Sequence, residues 1–498
     1  CEVTSSLCTS TELVRAYIRE TMRELFTSVP DLAGVINIFC GERGTTCWHD
    51  VYRVQSCPRC RERSQVEVLA EDLNQFAEGI FAAKPSAKLL AWTYSMDTTD
   101  SMTQRPIDPV LDIITRTHPN IVWLGNFEHG GEKVLGGTPF GIHEYSLSYI
   151  GPSAAYAQIA HHAQRLRRRA YAKVQIGTTY ELSSQPYIPV PGIVYDKYAA
   201  MQASGVSGAM VSWIIGGSPS PMLKAAGNAA FAPLPDKETF LRRLAGIYWG
   251  ENNADAVAEA WEAFATAFQH YPCDNHVFYF GPITRCPAYH LHLEREPRTA
   301  DPYNFGLDDD RRLQPFEDQY DRWHGQFTIQ EVIDAYRAMA TRWETGVDKL
   351  RAVSQDDIAL RKQFAVAAAI HLQVRSAVNV IEFYLLRDLL GQDYAAAHPA
   401  IIERMRKVAL DDILLAEEMK RYQEIDPAIG FESELYAYSF SPALLDAKIA
   451  QVKGMLKTLA RWSQLGVELD LFSPIAAPTP CPTPIPHPAY QQWLRWGE

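Results

Sequence analysis

Two glutamates stand where an apolar run gives way to polar residues. Glu42 ends Gly34-Val35-Ile36-Asn37-Ile38-Phe39-Cys40-Gly41, and Glu181 ends the stretch from Ala172 to Tyr180. A parallel strand covered on both faces admits charge only where it emerges. In α/β barrels that carboxyl end is where the chemistry sits. Hydrolysis of a glycosidic bond uses two carboxyl groups, one to protonate the leaving oxygen and one to attack or stabilise the anomeric carbon. A retaining mechanism sets them about 5–5.5 Å apart. We read Glu42 as the acid/base and Glu181 as the nucleophile or stabiliser; pairing with Arg43 or Arg167 at a rim is the alternative for each. Glu128 and Glu144 also follow strand-like stretches and compete for the second role or for sugar hydroxyls. Arg43, Trp92, Glu128, Glu144, Tyr180 and Trp213 make up the expected sugar pocket. A pyranose stacks its apolar face on such rings, and Trp92 and Trp213 are the preferred platforms.

Cys47, Cys57 and Cys60 follow Glu42 as C-x9-C-x2-C with His49 between. Thiolates and an imidazole at this spacing suit a tetrahedral zinc, while free thiols or a disulfide are the other readings. The chain has no Walker loop, dinucleotide fingerprint, Gly-x-Ser-x-Gly elbow or His-Glu-x-x-His. No cofactor is therefore expected in the reaction itself.

The elements that must position these residues alternate from Thr11 to about Leu223. Helices over 11–28, 66–83, 109–117, 154–169 and 194–204 separate strands ending near Glu42, Tyr94, Glu128, Glu181 and Ile214. This is the pattern of a parallel α/β sheet. Five such units fit the last five strands of a (β/α)8 barrel of the TIM type. The Glu42 strand is then the fourth and the Glu181 strand the seventh, and we expect the first three to lie upstream of Cys1. An open five-stranded sheet is the alternative. We expect four regions: a barrel portion over 1–225, a helical and irregular extension over 226–315 packing on it, a mainly α-helical domain over 316–470, and a Pro-rich tail over 471–498. In the helical domain Thr328 and Glu331 have capping-box spacing, and Phe364, Ile370, Val374, Val378, Ile381 and Leu385 recur at helical period. Capping the barrel and forming a homodimer are the two roles open to it.

At 498 residues with 47% hydrophobic side chains, the chain can bury more than one core. The net charge of −12, with no long basic run, argues against nucleic acid and anionic membranes as partners. A carbohydrate is the expected partner, and location stays open between the cytoplasm and export. Nine cysteines are too few for a disulfide scaffold of this size.

The stretch Phe39-Cys40-Gly41-Glu42-Arg43-Gly44-Thr45-Thr46-Cys47-Trp48 resembles the fourth-strand motif of the glycoside hydrolase family 20 β-N-acetylhexosaminidases, where an Asp-Glu pair is followed shortly by Cys-Trp. Lys88 to Tyr94 resembles that family's next strand and Gly208 to Trp213 its final one. Segments 173–191, 207–221 and 240–272 also resemble hexosaminidase-like bacterial proteins with a helical C-terminal domain. The resemblance implies a barrel and sugar hydrolysis, with Glu42 matching the family's acid. In family 20 the aspartate of the pair orients the substrate acetamide, which itself attacks. Gly41 holds that position here, so the reading adopted is a glycoside hydrolase cleaving a terminal sugar with two protein carboxylates. Acetamide-assisted hexosaminidase action and a non-catalytic carbohydrate-binding barrel are the alternatives.

Overall fold

The computed structural model describes residues 6–41, 46–49, 54–94, 96, 107–213, 215–293, 320, 323–354, 358–390, 398–434 and 437–465. Glu42, Arg43 and the Pro-rich tail lie outside these residues. Five parallel strands form one sheet: β1 (Gly34–Ile38), β2 (Lys88–Trp92), β3 (Val122–Asn126), β6 (Ala170–Val174) and β7 (Ala209–Val211), in the order β1-β2-β3-β6-β7. The sheet curls as half of a barrel and its two edge strands are β1 and β7. Between β3 and β6 the chain makes an antiparallel hairpin, β4 (Glu132–Leu135) with β5 (Thr138–Gly141). No expectation covered that hairpin.

The crossovers are helical: α1 (Glu12–Ser28) precedes β1, and α2 (Gln65–Ala83), α3 (Asp108–Arg116), α4 (Ala154–Arg165) and α5 (Pro191–Ala203) separate the strands. The starts of α1, α2 and α4 are set by oxygens that accept from orphan amides of the first turn, while α3 and α5 start with Pro in the first turn. Thr11 accepts from Val14, Ser153 from Tyr156, and Ser64 with Glu67 closes a full capping box. Alternation along the strands divides the two faces of the sheet. Leu89, Ala91, Trp123, Phe127, Ala172 and Val174 join the main core under the helices. Trp92, Leu124 and Lys173 lie on the other parity, and on that face Ile36 is 47% exposed.

Helices continue as α6 (Pro221–Ala229), α7 (Lys237–Trp249) and α8 (Ala254–Phe268), with Trp249, Trp261, Phe264 and Phe268 buried. The region after α8 contains a π-helical turn over His276–Phe280 and a 3-10 turn over Ile283–Arg285. Then come α9 (Ile329–Val353), α10 (Ile358–Leu390), α11 (His398–Ile425), a short hairpin β8 (Phe431–Glu432) with β9 (Ala437–Tyr438), and α12 (Pro442–Leu465). The Thr328–Glu331 capping box forms. Trp343 of α9 stacks on Phe264 at 4.4 Å and donates to the Ala367 carbonyl at 2.8 Å, locking α8, α9 and α10 together. By length and composition α10 could cross a bilayer. Its apolar window is 83% buried, which makes it the central helix of this layer.

The helical layer joins the barrel portion at the β4-β5 hairpin, where Thr138 Oγ1 donates to Glu331 Oε1 at 2.6 Å, and at the loop just after Glu181. Gln373 of α10 donates to Ser184 Oγ at 2.8 Å and accepts from Gln185 at 2.7 Å. The Gly430 amide donates to the Ser184 carbonyl at 2.8 Å. The loops following β6 and β7 meet backbone to backbone. A Cβ on Gly177 would come within 2.0 Å of the Gly216 carbonyl oxygen, which no rotamer change can relieve. Gly177→Ala is therefore expected to cost about 1–3 kcal/mol by overpacking, read from urea denaturation. An unchanged midpoint would mean that these loops do not approach as described.

Candidate functional site at the carboxyl ends of the strands

Glu181 begins as the acidic residue of a 3-10 turn, Tyr180–Leu182, capped by Thr179. Its side chain is fully buried, and four donors converge on it. Ser146 Oγ donates at 2.8 Å, the Leu147 amide at 2.8 Å, the Ser148 amide at 3.2 Å and Thr179 Oγ1 at 2.6 Å. A carboxylate with its lone pairs so occupied holds the 146–148 loop against the β6 loop and presents no oxygen to a substrate. The Cys273 thiol beside it is pushed well up by burial, reinforced by the Glu181 charge. Glu181, read from the sequence as nucleophile or stabiliser, is thus a buried carboxylate with both oxygens engaged.

Glu128 is also fully buried, two residues beyond β3. Its Oε1 accepts from Lys197 Nζ of α5 at 2.5 Å and from the Gln175 amide at 2.9 Å. Lys197 donates as well to the Ser146 carbonyl at 2.8 Å, so one ammonium joins the Glu128 and Glu181 neighbourhoods. Burial lowers the Lys197 pKa, and the Glu128 charge opposes that shift. Glu128 belongs to this internal network, not to an exposed pocket wall.

Glu144 differs. It is only partly buried, its Oε1 accepts from the Tyr145 amide at 2.9 Å and its Oε2 from the Tyr279 hydroxyl at 3.0 Å. Tyr279 sits on the π-helical turn and packs on Tyr180 at 5.0 Å. Tyr180 itself is buried, so it backs Tyr279 and offers little face to a sugar. The adjacent Tyr145 ring carries Lys173 Nζ at 2.9 Å from its centroid. Lys173 pairs in register with Asn126.

Asn126 links this group to an aromatic one. It accepts from Trp92 Nε1 at 3.0 Å and donates to the Tyr94 carbonyl at 2.8 Å. Trp92 meets Tyr94 and Trp213 edge to face, at 4.9 and 4.8 Å. Trp92 is fully buried and Trp213 is 42% exposed. Of the two tryptophans expected to stack on substrate, the structure leaves Trp213 available and gives Trp92 the supporting role. Tyr94 (φ 42°) and Ser212 (φ 61°) occupy the left-handed region, directly beside these rings. Such strain in non-glycine residues gathers where a site fixes its geometry.

Sequence reasoning missed Tyr279, Asn126, Lys173 and Lys197. Asn126 and Lys173 sit within expected strands, where parity could have flagged them; Tyr279 lies in an irregular segment without periodicity. Glu42 and Arg43 lie outside the described residues. Gly41, bonded to Glu42, is buried, and a Cβ there would lie 2.7 Å from Ile38 Cγ2 and 4.0 Å from the Tyr94 ring. In the helical layer a second concavity is bordered by Arg337, His371, Arg375, Glu382 and Arg404. Its guanidiniums are engaged: Arg337 and Arg404 with Glu382, Arg375 with Asp411.

No protein-family profile matches the chain, and no curated protein sequence does. A solved structure described as a GH138 enzyme targeting pectin rhamnogalacturonan II is similar, with a TM-score of 0.52 and 11% identity over 92% of this chain. The chain spans about half of that protein, 53% of its length. At such identity the likeness is one of fold alone, to a glycoside hydrolase and without specific support for family 20.

Two outcomes follow from the buried charges. Lys197→Met leaves the Glu128 carboxylate buried and unpaired, and should cost about 3–5 kcal/mol in urea unfolding. Adding Glu128→Gln should recover part of that loss; strictly additive losses would contradict the pairing. His129 and His371 are held by burial at about 3 and about 4, below the ordinary 6.5. Below pH 6.5 the unfolded chain takes up protons at these two histidines that the folded one refuses, so the stability they contribute is complete above that value. It should fall by about 1.4 kcal/mol per histidine per pH unit toward pH 4. His371→Gln should flatten the slope of the unfolding midpoint against pH, and an unaltered slope would remove His371 from the account.

Proposed function

We propose that the chain is the greater part of a glycoside hydrolase site acting on a terminal sugar. The observation that carries the reading is the exposed Trp213 face, braced by buried Trp92 and Asn126, in a contact chain that runs to the partly exposed Glu144. A ring platform beside a hydrogen-bonded carboxylate suits a pyranose. The fold likeness to a glycoside hydrolase supports the same reaction class.

Glu42 is assigned the acid/base role from its place at the end of the β1 run. Glu144 takes the second carboxylate role that Glu181 was expected to fill, because it alone of Glu128, Glu144 and Glu181 reaches solvent. The Tyr279 hydroxyl would hold its carboxylate ionised and oriented for attack or for stabilising the oxocarbenium-like transition state. Glu181 and Glu128 serve as positioning residues for the loops beneath. The acetamide-assisted alternative gains no support: an aspartate at position 41 would press its Cβ on the β-branched Ile38 side chain.

The test is turnover of a panel of aryl glycosides, including uronic acid glycosides. Glu42→Gln should lower kcat/KM by about 10²–10⁴-fold, most severely with poor leaving groups, and Glu144→Gln should do so for all leaving groups. Trp213→Ala should raise KM several-fold, to about tenfold, with kcat little changed. Saccharide binding by calorimetry without turnover of any substrate would make the chain a carbohydrate-binding barrel. Undiminished turnover by Glu144→Gln would return the second role to another carboxylate.

A further inference from the structure

Outside the strand-end site, four sulfurs meet where three separate stretches of chain converge. Cys8 lies just before α1, and its carbonyl accepts from the amide and hydroxyl of the capping Thr11 at 3.1 and 2.8 Å. Cys47 opens a 3-10 turn in the loop after β1. Cys57 and Cys60 occupy the tight turn leading into the Ser64 cap of α2. Their Sγ atoms all lie within 4.8 Å of one another, with Cys8 3.7 Å from Cys57 and 3.5 Å from Cys60. A disulfide requires about 2.05 Å. A tetrahedron of thiolates at about 2.3 Å from a central zinc places its corners about 3.8 Å apart, the separation seen here. We propose that Cys8, Cys47, Cys57 and Cys60 bind one structural zinc ion.

The surroundings suit four thiolates around a dication. The Cys60 amide donates to Cys57 Sγ at 3.5 Å, which favours a charged sulfur. Arg63 donates to Ser10 Oγ at 2.7 Å, and a guanidinium has no acceptor, so the Ser10 proton is free to point at Cys60 Sγ, 3.3 Å away. Arg63 also pairs with Glu71 at 2.6 Å, fixing its direction. Val54, Val68 and Trp48 pack around the sulfurs as a small apolar cluster separate from the main core. A closed shell of four protein ligands leaves no open position for substrate or water, which marks a structural site and not a catalytic one. The ion would pin the segment after Gly41 to the starts of α1 and α2. This assignment stands independently of the proposed hydrolase activity.

Metal content of the full chain, purified under reducing conditions without chelator, provides the test by plasma mass spectrometry. One zinc per chain is expected. Replacement by cobalt(II) should give the intense visible bands of a tetrahedral tetrathiolate site. Cys8→Ser and Cys60→Ser should each lower bound zinc at least tenfold, while Cys286→Ala, in a buried position elsewhere, should retain it. A strong chelator should raise hydrogen exchange over 46–64 and leave α9 to α11 unchanged. A metal-free native chain whose four thiols titrate freely would overturn the proposal, as would a Cys8→Ser variant with full zinc. Should a variant fail to fold, the zinc content and cobalt spectrum of the unaltered chain decide the matter.

Discussion

A charge taken out of water must find partners for its lone pairs or protons; at the rim of this sheet Glu181 meets that demand on both oxygens, and Glu128 on Oε1 alone. Glu128 is met by Lys197 and a β6-loop amide, and Glu181 by two amides and two hydroxyls. Lys197 and Ser146 connect the two. The donors come from the 146–148 loop, the β6 loop and α5, and the Glu128 acceptor from beyond β3, so pairing the charges fixes four pieces of chain relative to one another. Only with that frame in place do Glu144, Tyr279 and Trp213 hold defined positions. Replacing one partner leaves the other charge stranded, which is why the network has more influence on rim geometry than its few hydrogen bonds suggest.

The strand-and-helix alternation was readable because the buried strands are short apolar runs bounded by turn residues and several helices, α1, α2 and α4 among them, carry a cap and a 3.6-residue period. The boundaries shifted by a few residues where strands end early: the run to Glu181 is a strand only as far as Val174, then a loop and a 3-10 turn. That shift explains the changed role of Glu181. A carboxylate at a strand end points into a barrel mouth, whereas one on a capped turn can fold back onto a neighbouring loop. Thr179 is local, but its other donors, on Ser146, Leu147 and Ser148, lie more than thirty residues upstream, and nothing in local sequence pairs them. Trp92 and Tyr180 illustrate the same limit, since strand parity gives a side chain's face but not whether another ring covers it. Cys8 joins its thiol partners across the whole of α1 and β1, a distance no spacing motif spans.

Gly41 joins the family resemblance to the structure. The motif around it resembles family 20 in its glutamate and its Cys-Trp pair, yet the packing of Ile38 leaves no room for the aspartate on which acetamide participation depends. The fold likeness to a GH138 enzyme covers most of this chain and about half of that protein. Hydrogen bonds from the helical layer land on Ser184 and Gln185, next to Glu181, and on Thr138 of the β4-β5 hairpin.

The central claim is that Glu144, not the anchored Glu181, is the second carboxylate of a sugar-cleaving site. Trapping with a panel of 2-deoxy-2-fluoro glycosyl fluorides, followed by peptide mass spectrometry, addresses it directly. The account predicts a glycosyl adduct on the peptide bearing Glu144. An adduct on Glu181 would contradict it.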